Sequence, residues 1–257
     1  MVGDVELHVE TRGSGPAVLL IAGAAGDAGQ YEGLAEQLAT EHTVISYDRC
    51  GNSRSGRSAD WASTTVEQHA DDAARLLATL DIGPAAVFGN SIGALIALAT
   101  ALRAPDRVRR VIVHEPTLMS VLADPDSAMS SVQPVIAAGM EQGGLPGGAE
   151  AFLGFAAGEA WQQVPAQVRE RMVGNAEVLF QAEFGSFMSW RPDDAELAAN
   201  RVPAAVLAAE QTAPFFREAA EWVAARLGVT VGTTPGGHMG YLDDASGFAK
   251  VLRPLLG

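Results

Sequence analysis

Apolar and polar positions follow two different patterns along this chain. Up to residue 115 and again after residue 201, short apolar runs alternate with stretches of helical spacing. The predicted strands are residues 5–11, 17–22, 42–47, 85–89, 108–114, 202–209 and 229–231. The predicted helices are residues 31–39, 66–80, 92–103, 214–227 and 247–256. Residues 5–11 alternate like an antiparallel strand, and the later apolar runs fit strands buried on both faces. The pattern therefore predicts an α/β fold with a mostly parallel, doubly wound sheet.

The regular alternation stops between residues 116 and 201. This stretch has irregular helical spacing, and the pairs Gly143-Gly144 and Gly147-Gly148 predict breaks within it. In doubly wound sheets, lids and binding walls grow from the carboxyl ends of the strands. We therefore predict a core built from residues 1–115 and 202–257, with residues 116–201 inserted as a helical cap.

A glycine-rich turn joins the predicted strand 85–89 to the helix 92–103. It reads Gly89-Asn90-Ser91-Ile92-Gly93, the G-x-S-x-G pattern that exposes a serine between a buried strand and a helix. Glycines on both sides remove side chains that would clash in so tight a turn. The pattern predicts a nucleophile at Ser91, and a helix N-cap serine is the structural alternative.

A nucleophilic serine needs a base, and the chain has five histidines. His238 follows the last predicted strand, in a loop that can reach back over the strand ends. His8, His42 and His69 occupy positions that predict surface residues. We therefore predict that His238 is the general base.

The oxyanion of an acyl-transfer reaction needs two backbone N–H donors. Ile92, the residue after the nucleophile, is one predicted donor. The second is predicted at Ala24, in the small-residue turn 22–26, because small side chains let the backbone approach a substrate closely. A simple strand-to-helix turn is the alternative explanation of this segment.

These motifs resemble the α/β-hydrolase family over essentially the whole chain. The turn 22–26 stands where many members have His-Gly-x, and residues 47–55 resemble their D-x-R-G-x-G-x-S turn. The resemblance implies an α/β-hydrolase fold. It also implies that Asp48 and Arg49 brace the second turn and that Cys50 is structural.

The acid departs from the usual family pattern. Members usually carry an aspartate just after the strand matched here by residues 202–209, but this chain has Thr212 there. The acid can also follow the strand after the elbow helix, where Glu115 precedes a proline. We predict Glu115 as the acid, with Glu210 as the alternative acid and a solvated strand-end charge as the structural explanation of Glu115. This Ser–Glu–His layout is similar to that of the zearalenone lactone hydrolases, which implies hydrolysis of a carboxylic ester or lactone.

Composition and charge narrow the classes of partner. The formal net charge is −14 with no run of Lys or Arg, which argues against nucleic acid. The single cysteine and the absence of a signal-peptide pattern in residues 1–10 predict a cytoplasmic protein. The uncharged residues 85–101 are better explained by a strand and a helix than by a membrane span. Since no His/Cys cluster has metal-ligand spacing, we expect neither a metal nor an organic cofactor, and a homodimer stays open.

Aromatic and methionine residues are concentrated in the predicted cap. They are Phe152, Phe155, Phe180, Phe184, Phe187, Met119, Met129, Met140, Met172, Met188, Trp161 and Trp190. Such side chains fill ordinary helix cores, and as a set they also line adaptable apolar pockets. We therefore predict a serine hydrolase that cleaves a bulky hydrophobic carboxylic ester or lactone through an acyl-serine. The alternatives are C–C bond hydrolysis or perhydrolysis on the same triad, and a slow-turnover ligand receptor with this fold.

Overall fold

In a computed structural model, which describes residues 5–57 and 62–257, the strands form one seven-stranded sheet. They are β1 (Val9–Arg12), β2 (Ala17–Ile21), β3 (Thr43–Tyr47), β4 (Ala85–Asn90), β5 (Val108–His114), β6 (Ala204–Ala209) and β7 (Val231–Thr234). Their order across the sheet is β1-β3-β2-β4-β5-β6-β7. Of these seven strands, β1 alone pairs antiparallel with its neighbour. The mostly parallel sheet and its antiparallel first strand are therefore confirmed. Residues 1–4, part of the segment predicted not to be a signal peptide, lie outside the described residues.

Helices cover both faces of the sheet. They are α1 (Glu32–Leu38), α2 (Val66–Thr79), α3 (Ile92–Arg103), α9 (Pro214–Leu227), α10 (Gly240–Asp243) and α11 (Ala245–Leu256). Alternate residues of β2 enter different cores: Leu19 and Ile21 pack with α2 and α3, while Val18 and Leu20 pack with α1 and α11. Residues 85–101 form β4 and most of α3, and no helix in the described residues is long and apolar enough to cross a membrane.

The chain between β5 and β6 is helical. It contains α4 (Pro125–Ser130), α5 (Gln133–Ala157), α6 (Ala166–Gly174), a π-helical turn (Val178–Glu183), α7 (Phe184–Ser189) and α8 (Asp194–Ala199). Helix α5 bends at Gly143 and Gly144, as predicted. The break predicted at Gly147-Gly148 is wrong, because Gly147 lets the second arm of α5 pack closely on the first. A Cβ at Gly147 would lie 2.3 Å from the carbonyl oxygen of Gly139.

The last strand begins two residues later than predicted. Gly228 ends α9 in the left-handed conformation, with φ 67°, and the Val229 N–H donates to Ala224 O at 3.0 Å. Residues 228 and 229 therefore complete the helix end before the strand starts. The strand then runs to Thr234, so the loop that carries His238 starts at the carboxyl edge of the sheet.

Candidate active site

Ser91 occupies the tight turn between β4 and α3. Its backbone has φ 60° and ψ −123°, a conformation that costs a non-glycine residue about 1–3 kcal/mol. Side chains at the flanking glycines would not fit: a Cβ at Gly89 would lie 2.0 Å from Gly93 O, and one at Gly93 would lie 2.2 Å from Ile21 O. The turn holds Ser91 at the N-terminus of α3, where the helix dipole favours negative charge.

A short hydrogen bond joins the predicted acid to the predicted base. Nδ1 of His238 lies 2.6 Å from Oε2 of Glu115, and Oε1 of Glu115 accepts the Ala209 N–H at 2.8 Å. Burial raises the pKa of Glu115, but the hydrogen bond and charge of His238 lower it to about 2. The ionised carboxylate keeps the proton of a neutral His238 on Nδ1, which leaves Nε2 free to accept a proton.

The alternative acid is not part of this pair. The side chain of Glu210 is exposed, and its backbone N–H donates to Thr234 O at 2.9 Å. Thr212 stands at the usual family position of the acid, and its hydroxyl donates to Ala213 O at 3.3 Å. Of the two predicted glutamates, Glu115 is the one that meets His238.

The hydroxyl of Ser91 has a partner that sequence reasoning missed. Ser91 Oγ lies 2.8 Å from Oγ1 of Thr117, and the Thr117 N–H reaches Ser91 O at 3.4 Å. Thr117 comes two residues after Glu115, just past the proline, and no motif distinguishes it from an ordinary strand-end residue. Two hydroxyls at this distance share one hydrogen bond, in which either oxygen can donate.

The predicted oxyanion donors, Ala24 and Ile92, line the same pocket as Ser91. Gly23 packs closely on the elbow, since a Cβ there would lie 3.1 Å from Asn90 O and 3.3 Å from Ser91 Cβ. The turn is closed by the Gly26 N–H, which donates to Gly23 O at 3.2 Å. The Gly23–Ala24 peptide is therefore held beside Ser91.

Asp48 and Arg49 brace the neighbouring turn, in line with the role that the resemblance implies. Asp48 accepts the Ala28 N–H at 2.8 Å and Nε of Arg54 at 2.7 Å. Arg49 is fully buried and donates to backbone carbonyls of the predicted oxyanion loop, residues 22–26. It also lies 3.3 Å, Nη1 to Nε2, from His69.

Two histidines predicted at the surface are buried instead. His69 is 1% exposed and His42 is 7% exposed, whereas His8 is partly exposed. His69 lies on the inner side of α2, where it packs edge-on against Phe187. The prediction for His69 was wrong because its neighbours Arg49 and Glu183 come from distant parts of the chain, and the sequence of α2 alone does not show them.

The ring of His238 stacks on Phe216. The two ring centroids are 4.1 Å apart, and the planes differ by 8°. Phe216 belongs to the first turn of α9 and also lines the pocket. The stacking and the bond to Glu115 together fix the plane of the imidazole.

The pocket around Ser91 has an empty volume of about 750 Å³ including its mouth. Its polar side chains are those of Gln30, Asn90, Ser91, Thr117 and His238. The rest of its lining is Gly23, Ala24, Ile92, Met119, Ala128, Met129, Val132, Phe152, Leu153, Phe155, Ala156, Phe184, Met188, Phe215, Phe216 and Met239. No charged side chain occurs in this described lining. Among the described residues, no group of three or more His, Cys, Asp or Glu side chains is placed to hold a metal ion.

Comparison with known proteins agrees with this architecture. The family model for the alpha/beta hydrolase fold matches residues 16–245. The chain belongs to the alpha/beta hydrolase fold family. The chain is 31% identical to the uncharacterized hydrolase YraK of Bacillus subtilis (strain 168), over 99% of this chain and 94% of that protein. It is 28% identical to zearalenone hydrolase of Bionectria ochroleuca, over 95% of this chain and 91% of that protein.

A solved structure gives the same fold. The esterase from Thermogutta terrifontis, with malate bound, superposes with a TM-score of 0.77 at 24% identity. The match covers 97% of this chain and 92% of the esterase. The predicted α/β-hydrolase fold and the prediction of a hydrolase are therefore confirmed, with zearalenone hydrolase as a distant homologue.

In this α/β hydrolase, a buried chain of hydrogen bonds runs beneath the elbow, and sequence reasoning missed it. This series of hydrogen bonds connects, in order, Asp27, Gln30, Tyr241, Asn90, His114 and Thr234. Asp27 and Gln30 follow the turn 22–26, Tyr241 follows the loop that carries His238, and Asn90, His114 and Thr234 end β4, β5 and β7. Asn90 directly precedes Ser91, and His114 directly precedes Glu115.

The Asp27 end of this series of hydrogen bonds determines which group donates and which accepts in each of the others. The carbonyl of Asp27 can only accept, so Nε2 of Gln30, 3.1 Å away, faces it. Oε1 of Gln30 then accepts from the hydroxyl of Tyr241 at 3.1 Å. Since the Tyr241 hydroxyl donates in that direction, it accepts from Nδ2 of Asn90, 3.4 Å away.

The same order assigns the tautomer of His114. With Nδ2 of Asn90 committed to Tyr241, Oδ1 of Asn90 faces Nδ1 of His114 at 2.6 Å, so Nδ1 carries the proton. Nε2 of His114 then accepts from Oγ1 of Thr234 at 2.8 Å. Burial lowers the pKa of His114 to about 3, so its ring is neutral at pH 7. His114 thus ties the floor of the site together as a neutral hydrogen-bonding group.

Proposed function

We propose that this chain is a serine hydrolase that cleaves a carboxylic ester or lactone of a bulky, neutral, hydrophobic substrate through an acyl-serine at Ser91. The main support is the 2.6 Å hydrogen bond between Glu115 and His238, beside a pocket that contains Ser91 on its strained turn. The 28% identity to zearalenone hydrolase supports the same class of reaction. The direct test is turnover of 4-nitrophenyl esters and of a panel of lactones, with absence of all turnover as the contrary result.

In the proposed attack, the Ser91 hydroxyl turns from Thr117 to Nε2 of His238. Nε2 takes the proton as Oγ forms a bond to the carbonyl carbon of the substrate. The carbonyl oxygen becomes an oxyanion that accepts the N–H groups of Ala24 and Ile92, at the positive end of α3. The carboxylate of Glu115 stabilises the imidazolium that forms.

Collapse of the tetrahedral intermediate breaks the bond to the leaving oxygen. His238 gives its proton to that oxygen, so an ester releases an alcohol and a lactone opens while its hydroxyl stays on the acyl chain. His238 then deprotonates a water, which attacks the acyl carbonyl. Release of the carboxylic acid restores the Ser91 hydroxyl.

We propose that residues 116–201 act as the cap that forms the apolar wall of this site. Six of the aromatic and methionine side chains concentrated there line the pocket: Phe152, Phe155, Phe184, Met119, Met129 and Met188. Others fill helix cores, among them Phe187 and Met172, which are fully buried. The lining favours a bulky apolar acyl or lactone group, since a flexible methionine-rich wall adapts to the shape of its ligand.

The charge of the substrate offers a sharp prediction. Mono-4-nitrophenyl succinate and its methyl ester differ in one carboxylate, and the pocket offers that carboxylate no cationic partner. Because burying an unpaired charge costs several kcal/mol, we expect kcat/KM for the methyl ester to exceed that for the free acid by at least about 100-fold.

Initial rates of 4-nitrophenolate release measure both values, after the enzyme-free release of each ester, which for the free acid includes attack by its own carboxylate, has been subtracted as a correction. Equal kcat/KM values after this correction would contradict a neutral substrate. That result would not bear on the proposed role of Ser91 as the nucleophile.

The proposed chemistry uses only groups of the chain itself. We therefore expect ester hydrolysis to be unchanged, within about twofold, after dialysis against EDTA, because no step needs a Lewis acid. Steady-state rates before and after dialysis measure this. Loss of activity that Zn²⁺ or another divalent ion restores would contradict it.

A further inference from the structure

Arg49, in the turn after β3, and Glu183, in the helical segment that follows β5, form a buried ion pair. Both side chains are fully buried. Nη1 of Arg49 lies 2.5 Å from Oε1 of Glu183, and Nη2 lies 2.9 Å from Oε2, so the pair is bidentate. Glu183 ends the π-helical turn 178–183, which belongs to the segment inserted between β5 and β6.

The guanidinium of Arg49 is fully engaged by this arrangement. Nε donates to Ala22 O at 3.2 Å, and Nη2 donates to Gly23 O at 3.0 Å as well as to Glu183. Nη1 donates to Oε1 of Glu183 and lies 3.3 Å from Nε2 of His69. Four of the five N–H groups of the side chain therefore have an oxygen acceptor and the fifth faces the His69 ring, so contacts on several sides hold Arg49 in place.

The contact at Gly23 bears directly on the oxyanion hole. The carbonyl of Gly23 and the N–H of Ala24 belong to one planar, trans peptide, in which they point in opposite directions. A donor that fixes Gly23 O therefore also fixes the direction of the Ala24 N–H. A cationic donor on the oxygen polarises the same peptide and makes its N–H a stronger donor.

We propose that Arg49 and Glu183 are positioning residues that aim and polarise the Ala24 N–H at the oxyanion. Arg49 acts on the peptide, and Glu183 holds Arg49 in place from the inserted segment. This role rests on the proposed acyl transfer, because an oxyanion forms only in that type of reaction. It gives the inserted segment a part in catalysis beyond that of covering the substrate.

Glu183→Gln keeps the shape of the side chain and removes its charge. We expect kcat for an ester to fall about 10- to 100-fold with KM within about threefold, since the donor contributes mainly in the transition state. Affinity for a boronic acid, whose adduct with Ser91 is tetrahedral and anionic, should fall by the same factor as kcat. Arg49→Lys should also lower kcat with little change in KM, because an ammonium group cannot donate to two carbonyls and a carboxylate at once.

The matched control is Asp71→Asn. Asp71 makes a bidentate pair with Arg103 at 2.9 Å, on helices α2 and α3 and away from the pocket lining. This change should leave kcat within about twofold. Equal kinetics for Glu183→Gln and Asp71→Asn would overturn the positioning role.

A double variant separates positioning from stability. Arg49→Met with Glu183→Leu removes the pair without leaving a buried charge, so its thermal unfolding midpoint should lie near that of the wild type. We expect its kcat to stay low. If both kcat and the unfolding midpoint of this double variant were close to those of the wild type, the pair would have only a structural role. This variant also decides the question if Glu183→Gln does not fold.

Amide hydrogen exchange keeps this test independent of turnover. The Gly26 N–H donates to Gly23 O, so its exchange should become at least about tenfold faster in Glu183→Gln than in Asp71→Asn. If the wild type hydrolysed no ester or lactone, the proposed function would fail. The exchange rates would still report whether the pair positions the loop, and equal rates would overturn that claim.

Discussion

Ser91→Ala is expected to lower kcat for ester hydrolysis by roughly 10⁶ while the protein stays folded. Oγ is the atom that forms the acyl bond in the proposed mechanism, and no other hydroxyl stands on the elbow. The substitution removes one hydrogen bond, to Thr117, so the free energy of unfolding should change by only about 1 kcal/mol. Burst and steady-state kinetics with a 4-nitrophenyl ester measure the effect.

Ser189→Ala is the matched control. Oγ of Ser189 is exposed and bonds to carbonyls of its own helix, so its loss should leave kcat unchanged. A fluorophosphonate probe should add its mass to the peptide that contains Ser91 and to no other serine peptide. If Ser91→Ala retained a tenth of wild-type activity, the nucleophile would have to lie elsewhere.

The elbow could be predicted because its requirements are local. Gly89 and Gly93 are needed by backbone atoms within the turn and by the adjoining end of β2, and those contacts follow from five consecutive residues between a strand and a helix. Strands β2 to β6 were predictable for a similar reason, since a strand buried on both faces must be apolar at nearly every position. The edge strand β7 (Val231–Thr234) contains Gly232 and Thr233, which interrupt the apolar pattern. Its predicted bounds, 229–231, were wrong for that reason.

Contacts between distant parts of the chain escaped prediction. Arg49 and Glu183 are 134 residues apart, and nothing in the π-helical turn marks one glutamate as buried. His114 meets Asn90 and Thr234 through the parallel pairing of β4 with β5 and the placement of β7, which is a property of the sheet order. Such polar partners become visible once the sheet order is known.

The predicted acid, Glu115, is the most unusual feature of the proposed site, and its removal should have the second-largest effect on kcat. Glu115→Gln is expected to lower kcat by on the order of 10⁴ with little change in fold. The reason lies in the second oxygen of the carboxylate. Oε1 accepts the Ala209 N–H, so the amide oxygen of a glutamine must keep that position and its NH₂ group must face His238.

An NH₂ group that faces Nδ1 reverses the tautomer of His238. Nδ1 would have to accept, so the ring proton would move to Nε2, where the base must be free to take the proton of Ser91. Turning the amide around would place its NH₂ group against the Ala209 N–H, two donors with no acceptor between them. The first orientation leaves the imidazole unable to act, and the clash of two donors disfavours the second, so the loss appears in kcat rather than in KM.

Glu210→Gln is the matched control, because this exposed glutamate lies near the position where relatives usually carry the acid. Its loss should leave kcat within about tenfold of the wild type. The reverse result, with Glu210→Gln inactive and Glu115→Gln active, would assign the acid to Glu210 and remove the likeness to the lactone hydrolases. If neither change mattered, the imidazole would act without a carboxylate, as in a Ser–His dyad. The bond at 2.6 Å from Nδ1 of His238 to a fully buried Glu115 leads us to expect the first outcome.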